Sequence, residues 1–324
     1  MFAWIGLLNG CRNFSNAVRV GNRFTREEFR HRLQKQNLKD SQNKTDKTFE
    51  FKTKDEIPVR PVKDLYKCLG FTLGTSALAF TTAIVVDLER SKRNIRNYLF
   101  SSNREKPSKP FFQKIGLTNN TVIALIGMNI GVFALWKVPA LKTFMWRYFT
   151  NSFASKSLCV PMLTSVFSHS SAIHLALNMY VATTFVGIVV EKFLGHEQFW
   201  SFFVAGGVFS SLTSLAHKAV TRNPIRALGA SGAIIATLAY TCMRIPDAKL
   251  SIVFVPGFEF SAQSALWGMI AFDLAGLIFR FRMFDHAAHL GGALFGIFYS
   301  TIGQDYIWIY YGELIEKQWT KISP

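Results

Sequence analysis

The chain has 324 residues, is 49% hydrophobic, and carries 37 basic against 20 acidic residues, a formal net charge of +17. A mean hydropathy of +0.18 is high for a soluble globular domain and low for a bundle made only of spans, so a polar tail joined to a membrane core is predicted. The basic excess predicts contact with anionic lipid and not with nucleic acid, for which no aromatic and basic platform exists. The four scattered cysteines argue against a disulfide framework or a zinc site.

Residues 1–28 have the composition of a mitochondrial transit peptide. No acidic residue precedes Glu27, and basic residues punctuate apolar, Ser and Asn residues at Arg12, Arg19, Arg23 and Arg26. An unstructured basic tail is the alternative interpretation. Residues 29–67 are polar and mixed in charge, which predicts a solvated linker on the matrix side.

Seven apolar segments have about the length that crosses a bilayer. The first, residues 68–86, carries no charge, and a basic linker follows at residues 87–114. The core at residues 115–303 contains six more, numbered here core helices 1 to 6: Ile115 to Trp136, Ala172 to Val190, Phe199 to Ala216, Ala227 to Met243, Ala262 to Phe279 and Ala287 to Gly303. Because lipid offers no partner to an open backbone, we expect an all-α membrane protein with one extra amino-terminal helix before six core helices. The aromatic and charged tail at residues 304–324 predicts a segment at the membrane interface.

Polar residues near the starts of core helices 2, 4 and 6 are predicted to meet. Consecutive spans alternate in direction, so these three helices begin on one side of the membrane. His174 and Asn178 lie near the start of core helix 2, Ser231 near the start of core helix 4, and His289 near the start of core helix 6. Such residues are expensive at bilayer depth and are therefore functional candidates. A serine beside a histidine predicts a nucleophile with its general base.

Glycines on the same helices predict close packing around the serine and the histidine. Gly292 and Gly296 share a face with His289, and Gly229 and Gly232 flank the serine. A small-x-x-x-small pattern lets two helix backbones approach closely, which a contact of about 3 Å between serine and imidazole requires. Packing without catalysis is the alternative interpretation of these glycines.

His174 and Asn178 are four residues apart and therefore project from one helical face. Both can donate hydrogen bonds, and paired donors near a nucleophile stabilise the oxyanion of an acyl-transfer intermediate. The alternative is a pair of residues that satisfies loop carbonyls at the helix start.

Four motifs in order resemble the rhomboid intramembrane serine proteases. They are the loop dipeptide Trp146-Arg147, His174-x-x-x-Asn178, Gly-Ala-Ser-Gly at 229–232 and Ala-His-Leu-Gly-Gly at 288–292. The resemblance covers about residues 110–303, and the basic amino terminus and extra helix are similar to the mitochondrial, presenilin-associated rhomboid-like branch. It implies that Ser231 is the nucleophile and His289 its general base. It also implies an oxyanion hole made by His174, Asn178 and the backbone N–H of Ser231, with Trp146 and Arg147 as loop anchors.

The resemblance also implies a location and substrates. It implies a multi-pass protein of the mitochondrial inner membrane that cuts single-span proteins, among them a kinase import intermediate and a dynamin-like GTPase. No cofactor or metal is predicted, since no H-E-x-x-H pattern accompanies His286 and His289. The competing interpretations are a non-catalytic rhomboid-like module that binds membrane segments, and a transporter, which would require internal repeats.

Several residues have no firm assignment from the sequence. Asp273 inside core helix 5 predicts an interhelical hydrogen bond or a gating role, and no acid is evidently placed to complete the serine–histidine pair. His286 is expected at the membrane surface, and the loop Arg280 to His286 is a candidate cap. Ile235 stands where some rhomboids have a tyrosine stacked on the histidine. The active face is expected to open toward the matrix if residues 1–67 lie there.

Overall fold

The computed structural model describes residues 35–36, 57–100, 119–251, 257, 259–281 and 284–322. The whole of the predicted transit peptide, residues 1–28, lies outside the described residues. Most of the predicted polar linker and residues 101–118 also lie outside them. The described chain is a mostly helical membrane protein whose α-helices are α1 Leu65–Phe100, α2 Asn120–Leu135, α3 Lys142–Tyr148, α4 Val160–Thr164, α5 Ala172–Val189, α6 Gly195–Val220, α7 Ser231–Arg244, α8 Ala262–Ile278, α9 His286–Phe298 and α10 Tyr311–Ile322. Core helices 1 to 6 correspond to α2, α5, α6, α7, α8 and α9.

Two helical stretches are long and apolar enough to cross a membrane, Val62–Tyr98 and Ala172–Val220, or three if the pair Asn120–Leu135 and Pro139–Tyr148, bent by 92°, counts as one. The second stretch contains α5, a π-helical turn at Val190–Leu194, and α6. Gly195 ends that turn with φ 73° and ψ −179°, a conformation that glycine adopts without the strain a side chain would bring. The helical path therefore breaks between α5 and α6.

The first helix is longer than the sequence predicted. α1 has 36 residues and continues to Phe100, so the first half of the segment predicted as a basic linker is helical. Near its start, Cys68 packs in one buried cluster with Leu215 from the last turns of α6. Near its other end, Arg90 Nη1 lies 2.6 Å from Glu197 Oε1, in the first turn of α6. α1 is therefore antiparallel to α6 and begins where α6 ends.

The segment predicted as an interfacial tail is helical. α9 is followed directly by a π-helix at Tyr299–Tyr310 and then by α10. Tyr311 Oη lies 2.9 Å from Thr81 Oγ1, and the indole N–H of Trp319 donates to Glu89 Oε1 at 2.8 Å. We call these two contacts between α1 and α10 the clasp. The sequence does not predict contact between the first span and the carboxy-terminal tail.

The main core lies among α5, α6, α7 and α9. Its centre holds the rings of Phe202, Tyr240, Phe295 and Tyr299, whose neighbouring centroids are 5.0 to 6.2 Å apart. The Tyr299 hydroxyl is satisfied within this apolar region because Gln198 Nε2 donates to it at 2.9 Å. This packing joins the helices that carry the predicted site.

A short antiparallel hairpin joins α7 to α8 and departs from the purely helical prediction. Its strands, β1 at Lys249–Ser251 and β2 at Glu259–Ser261, pair Leu250 with Phe260 at the centre. Three residues in each strand are too few for an alternating pattern to reveal a strand. The hairpin follows the end of α7, so it lies at the end of the bundle opposite to Ser231.

Candidate active site

Ser231 and His289 meet at the starts of two neighbouring helices. Ser231 is the first residue of α7, and His289 lies in the first turn of α9. His289 Nε2 lies 3.0 Å from Ser231 Oγ, which is hydrogen-bonding distance. Both residues are partly buried, and the His289 side chain is 12% exposed. The two side chains predicted from the sequence as nucleophile and base are therefore in contact.

Close approach of α7 and α9 makes this contact possible. A Cβ added at Gly292 would clash with the carbonyl oxygen of Gly232, and one added at Gly296 would clash with the carbonyl oxygen of Ala236. Gly232 is itself packed against the Ser210 hydroxyl, so a side chain has no room there either. These contacts lie one and two turns along α9 from the histidine. The predicted close packing at these glycines is what the structure contains.

The loop before Ser231 is held by backbone hydrogen bonds. Asn151 N donates to Ala227 O at 2.7 Å, and Ala227 N donates to Asn151 O at 2.9 Å. Two residues later, Gly229 N donates to Ser165 O at 3.0 Å. Gly229 has φ +136°, and a Cβ there would lie 2.8 Å from Cε1 of His174. Gly229 thus combines an unusual backbone with close contact to the ring of His174.

The three predicted oxyanion donors lie on α5 and at the start of α7. The ring of His174 lies beside Gly229, and Asn178 is buried one turn further along α5. The Asn178 side-chain amide donates to His174 O at 3.0 Å, so in this structure one of its donors is engaged within α5. The N–H of Ser231 belongs to the first turn of α7, where backbone N–H groups have no acceptor within the helix.

His169 is a further residue at this loop, and the sequence reasoning missed it. It is fully buried, its ring centroid is 5.0 Å from that of His174, and its Nε2 accepts from Ala230 N at 3.5 Å. Burial, helped by the neighbouring His174, lowers the pKa of His169 to about 4, so the ring is neutral near pH 7. A neutral ring can accept from the loop that precedes the nucleophile.

The predicted loop anchor Trp146 lies on α3 and supports the same region. Its ring makes an edge contact with Trp136 at a centroid distance of 6.5 Å, and the Arg226 guanidinium lies 5.1 Å from its centre. Arg226 Nη1 also donates to Trp146 O and to Thr150 Oγ1, each at 3.0 Å. Because Arg226 immediately precedes Ala227, these contacts tie α3 to the loop that leads to Ser231. Arg147 lies in the last turn of α3.

A small cavity of about 40 Å³ adjoins Ser231. Its lining residues include Ser165, Ser210, Ser211, Ser214 and Asp285. A water molecule needs roughly 10–15 Å³ of such space and two to four polar partners, so the cavity can hold water. A larger cavity of about 720 Å³ lies between α1, α2 and α6, away from both Ser231 and His289.

Comparison with known proteins shows the family to which this chain belongs. Residues 156–305 match the model of the Rhomboid domain. The chain is 43% identical over 262 residues to the Presenilin-associated rhomboid-like protein, mitochondrial, of Homo sapiens, covering 76% of this chain and 69% of that protein. The chain belongs to the rhomboid family. It is also 37% identical over 284 residues to Presenilin-associated rhomboid-like protein A, mitochondrial, of Danio rerio (78% of this chain, 74% of that protein), and 33% identical over 201 residues to Rhomboid protein 1, mitochondrial, of Saccharomyces cerevisiae (61% and 55%).

In this rhomboid an acid does reach the histidine, contrary to the expectation from the sequence. Asp273 on α8 places Oδ1 3.3 Å from His289 Nδ1 and 2.7 Å from His286 Nδ1. The predicted interhelical hydrogen bond of Asp273 is therefore present. The His286 side chain is 2% exposed and contacts three phenylalanine rings, so it is buried within the protein, and its position at the membrane surface stays a prediction.

The start of α9 is fixed by a buried ion pair that the sequence did not indicate. Asp285 caps α9 by accepting from Ala288 N at 3.1 Å, and its Oδ2 accepts from Ser214 Oγ at 2.6 Å and from Lys218 Nζ at 2.8 Å. Burial would raise the pKa of Asp285, but the charge and hydrogen bond of Lys218, with the bonds from Ser214 and Ala288, lower it to about 2. The pair joins the last turns of α6 to the helix that carries His289.

We expect Lys218→Met to destabilise the fold by about 2–4 kcal/mol, because it leaves the Asp285 carboxylate buried without its cation. The Lys218 side chain is 5% exposed and that of Asp285 is 21% exposed, so solvent compensates only part of the loss. Thermal unfolding of the detergent-solubilised protein measures this effect. The exposed pair Lys249–Glu259 provides the control, since its side chains are 79% and 57% exposed and Lys249→Met should change stability by less than about 1 kcal/mol.

The sign of the pH dependence follows from the lowered pKa of Asp285. Its contribution to stability is fully present above its ordinary pKa of 3.8 and is lost as the pH falls from there toward 2. The native protein should therefore lose stability over this acidic range more steeply than Asp285→Asn. Equal acid sensitivity of the two proteins would contradict the assignment.

Proposed function

We propose that this rhomboid is an intramembrane serine endopeptidase with Ser231 as nucleophile and His289 as general base. The observation that carries the proposal is the 3.0 Å contact between Ser231 Oγ and His289 Nε2 at the starts of two closely packed helices. A serine hydroxyl is a weak nucleophile at neutral pH and needs an adjacent base within hydrogen-bonding reach. The glycine contacts between α7 and α9 explain how packing of the two helices holds that geometry.

The reaction then proceeds in two steps. As Ser231 Oγ bonds to the carbonyl carbon of the substrate, its proton passes to His289 Nε2 and the carbonyl electrons move to oxygen. The tetrahedral species collapses, the carbon–nitrogen bond breaks, and His289 gives its proton to the leaving amine. Water next attacks the acyl-enzyme with His289 as the base, which releases the acid and restores the serine. The cavity of about 40 Å³ beside Ser231 is suited to supply that water.

The oxyanion is assigned to the N–H of Ser231 and the side chains of His174 and Asn178. His174 is close to the loop before the serine, and removing one such donor typically costs a factor of about 10²–10³ in rate. Asn178 must release its bond to His174 O to serve as a donor to substrate. Phe284, whose ring lies 5.9 Å from that of His289, belongs to the loop proposed as the cap over this site.

The membrane topology is proposed as one helix followed by six. A continuous helix over Ala172–Val220 would measure roughly 70 Å, more than twice the hydrocarbon thickness of about 30 Å, so the break at Gly195 supports two crossings there. α7, α8 and α9 then complete the core after α2. The relatives are named mitochondrial, which supports a mitochondrial membrane as the location. We propose the inner membrane, with single-span proteins as substrates and anionic lipid around the basic loops.

This topology predicts that the segment before α1 and the opening at Ser231 share one side of the membrane. Ile57 N donates to Ala154 O at 3.0 Å, and that loop is joined through Asn151 to the chain before Ser231. Protease protection of mitochondria that carry a tag before residue 57 and another after residue 322 tests it. We expect the two tags on opposite sides, and finding both on one side would contradict an odd number of crossings.

The experiment that tests the function uses the purified full chain in liposomes with a single-span reporter. The reporter carries small residues of poor helix propensity at its cut site, because a helix must fray before cleavage. We expect cleavage products by mass spectrometry, and a fluorophosphonate probe should label the chain at Ser231. Absence of both cleavage and labelling would favour a non-catalytic module that binds membrane segments.

A further inference from the structure

Asp273 carries an ionisable side chain at a buried position within α8. It lies in the middle of α8, a helix whose buried residues are only Ala262, Leu266, Asp273 and Gly276 among those described, and its side chain is 3% exposed. A charged side chain within a membrane helix is costly unless it is paired and hydrogen-bonded. Among the described residues, the hydrogen bonds of Asp273 go to α9, where its Oδ1 faces two histidines.

The shared oxygen determines which nitrogens of the two rings carry hydrogen. A carboxylate oxygen can only accept, so Nδ1 of His289 at 3.3 Å and Nδ1 of His286 at 2.7 Å are both donors. A neutral imidazole has one N–H, so its presence on Nδ1 leaves Nε2 of His289 with a free electron pair. That nitrogen is the one that faces Ser231 Oγ at 3.0 Å. The other tautomer would point an N–H at the serine and could not accept its proton.

His286 is fixed so that it holds the carboxylate in place. A Cβ at Gly276 would clash with the ring of His286, so the glycine on α8 provides the space the ring occupies. The rings of Phe272, Phe281 and Phe284 lie 5.6 to 6.0 Å from it. Its Nε2 has no hydrogen-bond partner within the described part of the chain, so Asp273 is the polar contact that orients this ring.

We infer that Asp273 is a positioning residue for His289, and that His286 is the buried donor that holds Asp273. The inference rests on the proposed function and adds a third and a fourth residue to the serine–histidine pair. When Ser231 attacks, its proton goes to Nε2 of His289 and the Nδ1 hydrogen stays on the ring. The carboxylate of Asp273 then faces the positive charge of the imidazolium and takes no proton itself.

The kinetic test compares substitutions that change the hydrogen bonds but keep the shape. Asp273→Asn should lower kcat for the liposome reporter by about 100-fold or more with little change in KM, because an amide also supports the wrong tautomer. His286→Asn places an amide donor near the position of Nδ1 and should retain most activity, whereas His286→Phe removes the donor and should lower kcat. Asp305→Asn is the control, since Asp305 is exposed in the π-helix between α9 and α10.

A spectroscopic measurement on the native protein separates positioning from folding. Solid-state nitrogen-15 NMR of the histidine-labelled protein in liposomes, assigned by comparison with His289→Gln, should show His289 protonated at Nδ1. In Asp273→Asn the Nε2-protonated form should increase. A native His289 protonated at Nε2 overturns the inference, even where Asp273→Asn fails to fold.

The outcomes also distinguish this inference from the proposed function. If the native chain cleaves the reporter but Asp273→Asn cleaves within threefold of it, the positioning role is overturned while the serine–histidine mechanism stands. If His286→Asn and His286→Phe have equal activity, the holding role of His286 is overturned. If the native chain neither cleaves nor labels at Ser231, the proposed function fails, and the tautomer of His289 still reports whether Asp273 orients that ring.

Discussion

Ser231→Ala is expected to reduce cleavage of the membrane reporter to background, a loss of about 10⁴-fold or more. The substitution removes the hydroxyl oxygen that lies 3.0 Å from His289 Nε2, so no acyl-enzyme can form. His289→Ala should have a loss of similar size because the serine then has no base. The double substitution should be no worse than either single one, since the two residues act as a unit. Reporter turnover in liposomes over long incubations measures all three.

Substitution of a second serine, Ser264, is the control for this prediction. Ser264→Ala removes an exposed hydroxyl in the first turn of α8, at the hairpin end of the bundle, and should leave turnover unchanged. Circular dichroism and the thermal midpoint should be the same for native protein, Ser231→Ala and Ser264→Ala. Residual cleavage in a well-folded Ser231→Ala above one hundredth of the native rate would place the nucleophile elsewhere.

Gly292→Ala is expected to lower cleavage by at least about 100-fold and stability by about 1–3 kcal/mol, although it adds a single methyl group. The added carbon would clash with the carbonyl oxygen of Gly232, and backbone atoms cannot rotate away as a side chain can. α7 and α9 must therefore separate. Ser231 precedes Gly232 directly and His289 lies one turn before Gly292, so the separation stretches the contact between base and nucleophile.

Gly268→Ala is the matched control for this helix contact. Gly268 lies within α8 with open space where its Cβ would be, and alanine is the better helix former. We expect Gly268→Ala to keep both activity and stability. Normal turnover by Gly292→Ala would show that the close approach of α7 and α9 is not needed to align Ser231 with His289.

The meeting of Ser231, His289 and His174 could be predicted because it depends on two simple rules. Spans alternate in direction, and costly polar residues inside a membrane turn toward one another. The glycine spacing on core helix 6 indicated that this helix packs closely against core helix 4, since backbone approach requires small residues at that face. Each of these signals is local in the sequence or depends only on the count of helices.

The acid and the second histidine could not be assigned because their partnership depends on tertiary detail. Asp273 could face any neighbour of α8 that the sequence allows, and only the rotation of α8 against α9 selects His286 and His289. His169 was missed because a histidine in a serine-rich loop carries no periodic signal.

α1 extends beyond the predicted span for a different reason. A hydropathy window ends at the first charges, and Asp87 lies one residue after the predicted span. The backbone hydrogen bonds of a helix do not end there, and charged side chains are compatible with a helix outside the lipid. α1 therefore continues through Glu89 and Arg90, both of which pair with other helices.

The clasp between α1 and α10 has a consequence for the order of assembly. Thr81 and Glu89 are each separated from their partners, Tyr311 and Trp319, by 230 residues. When the chain enters the membrane from its amino terminus, α1 arrives before α10. Until α10 follows, the part of α1 that carries Thr81 and Glu89 lacks its partner helix, and a chaperone or insertase that shields it would be displaced only when α10 has entered.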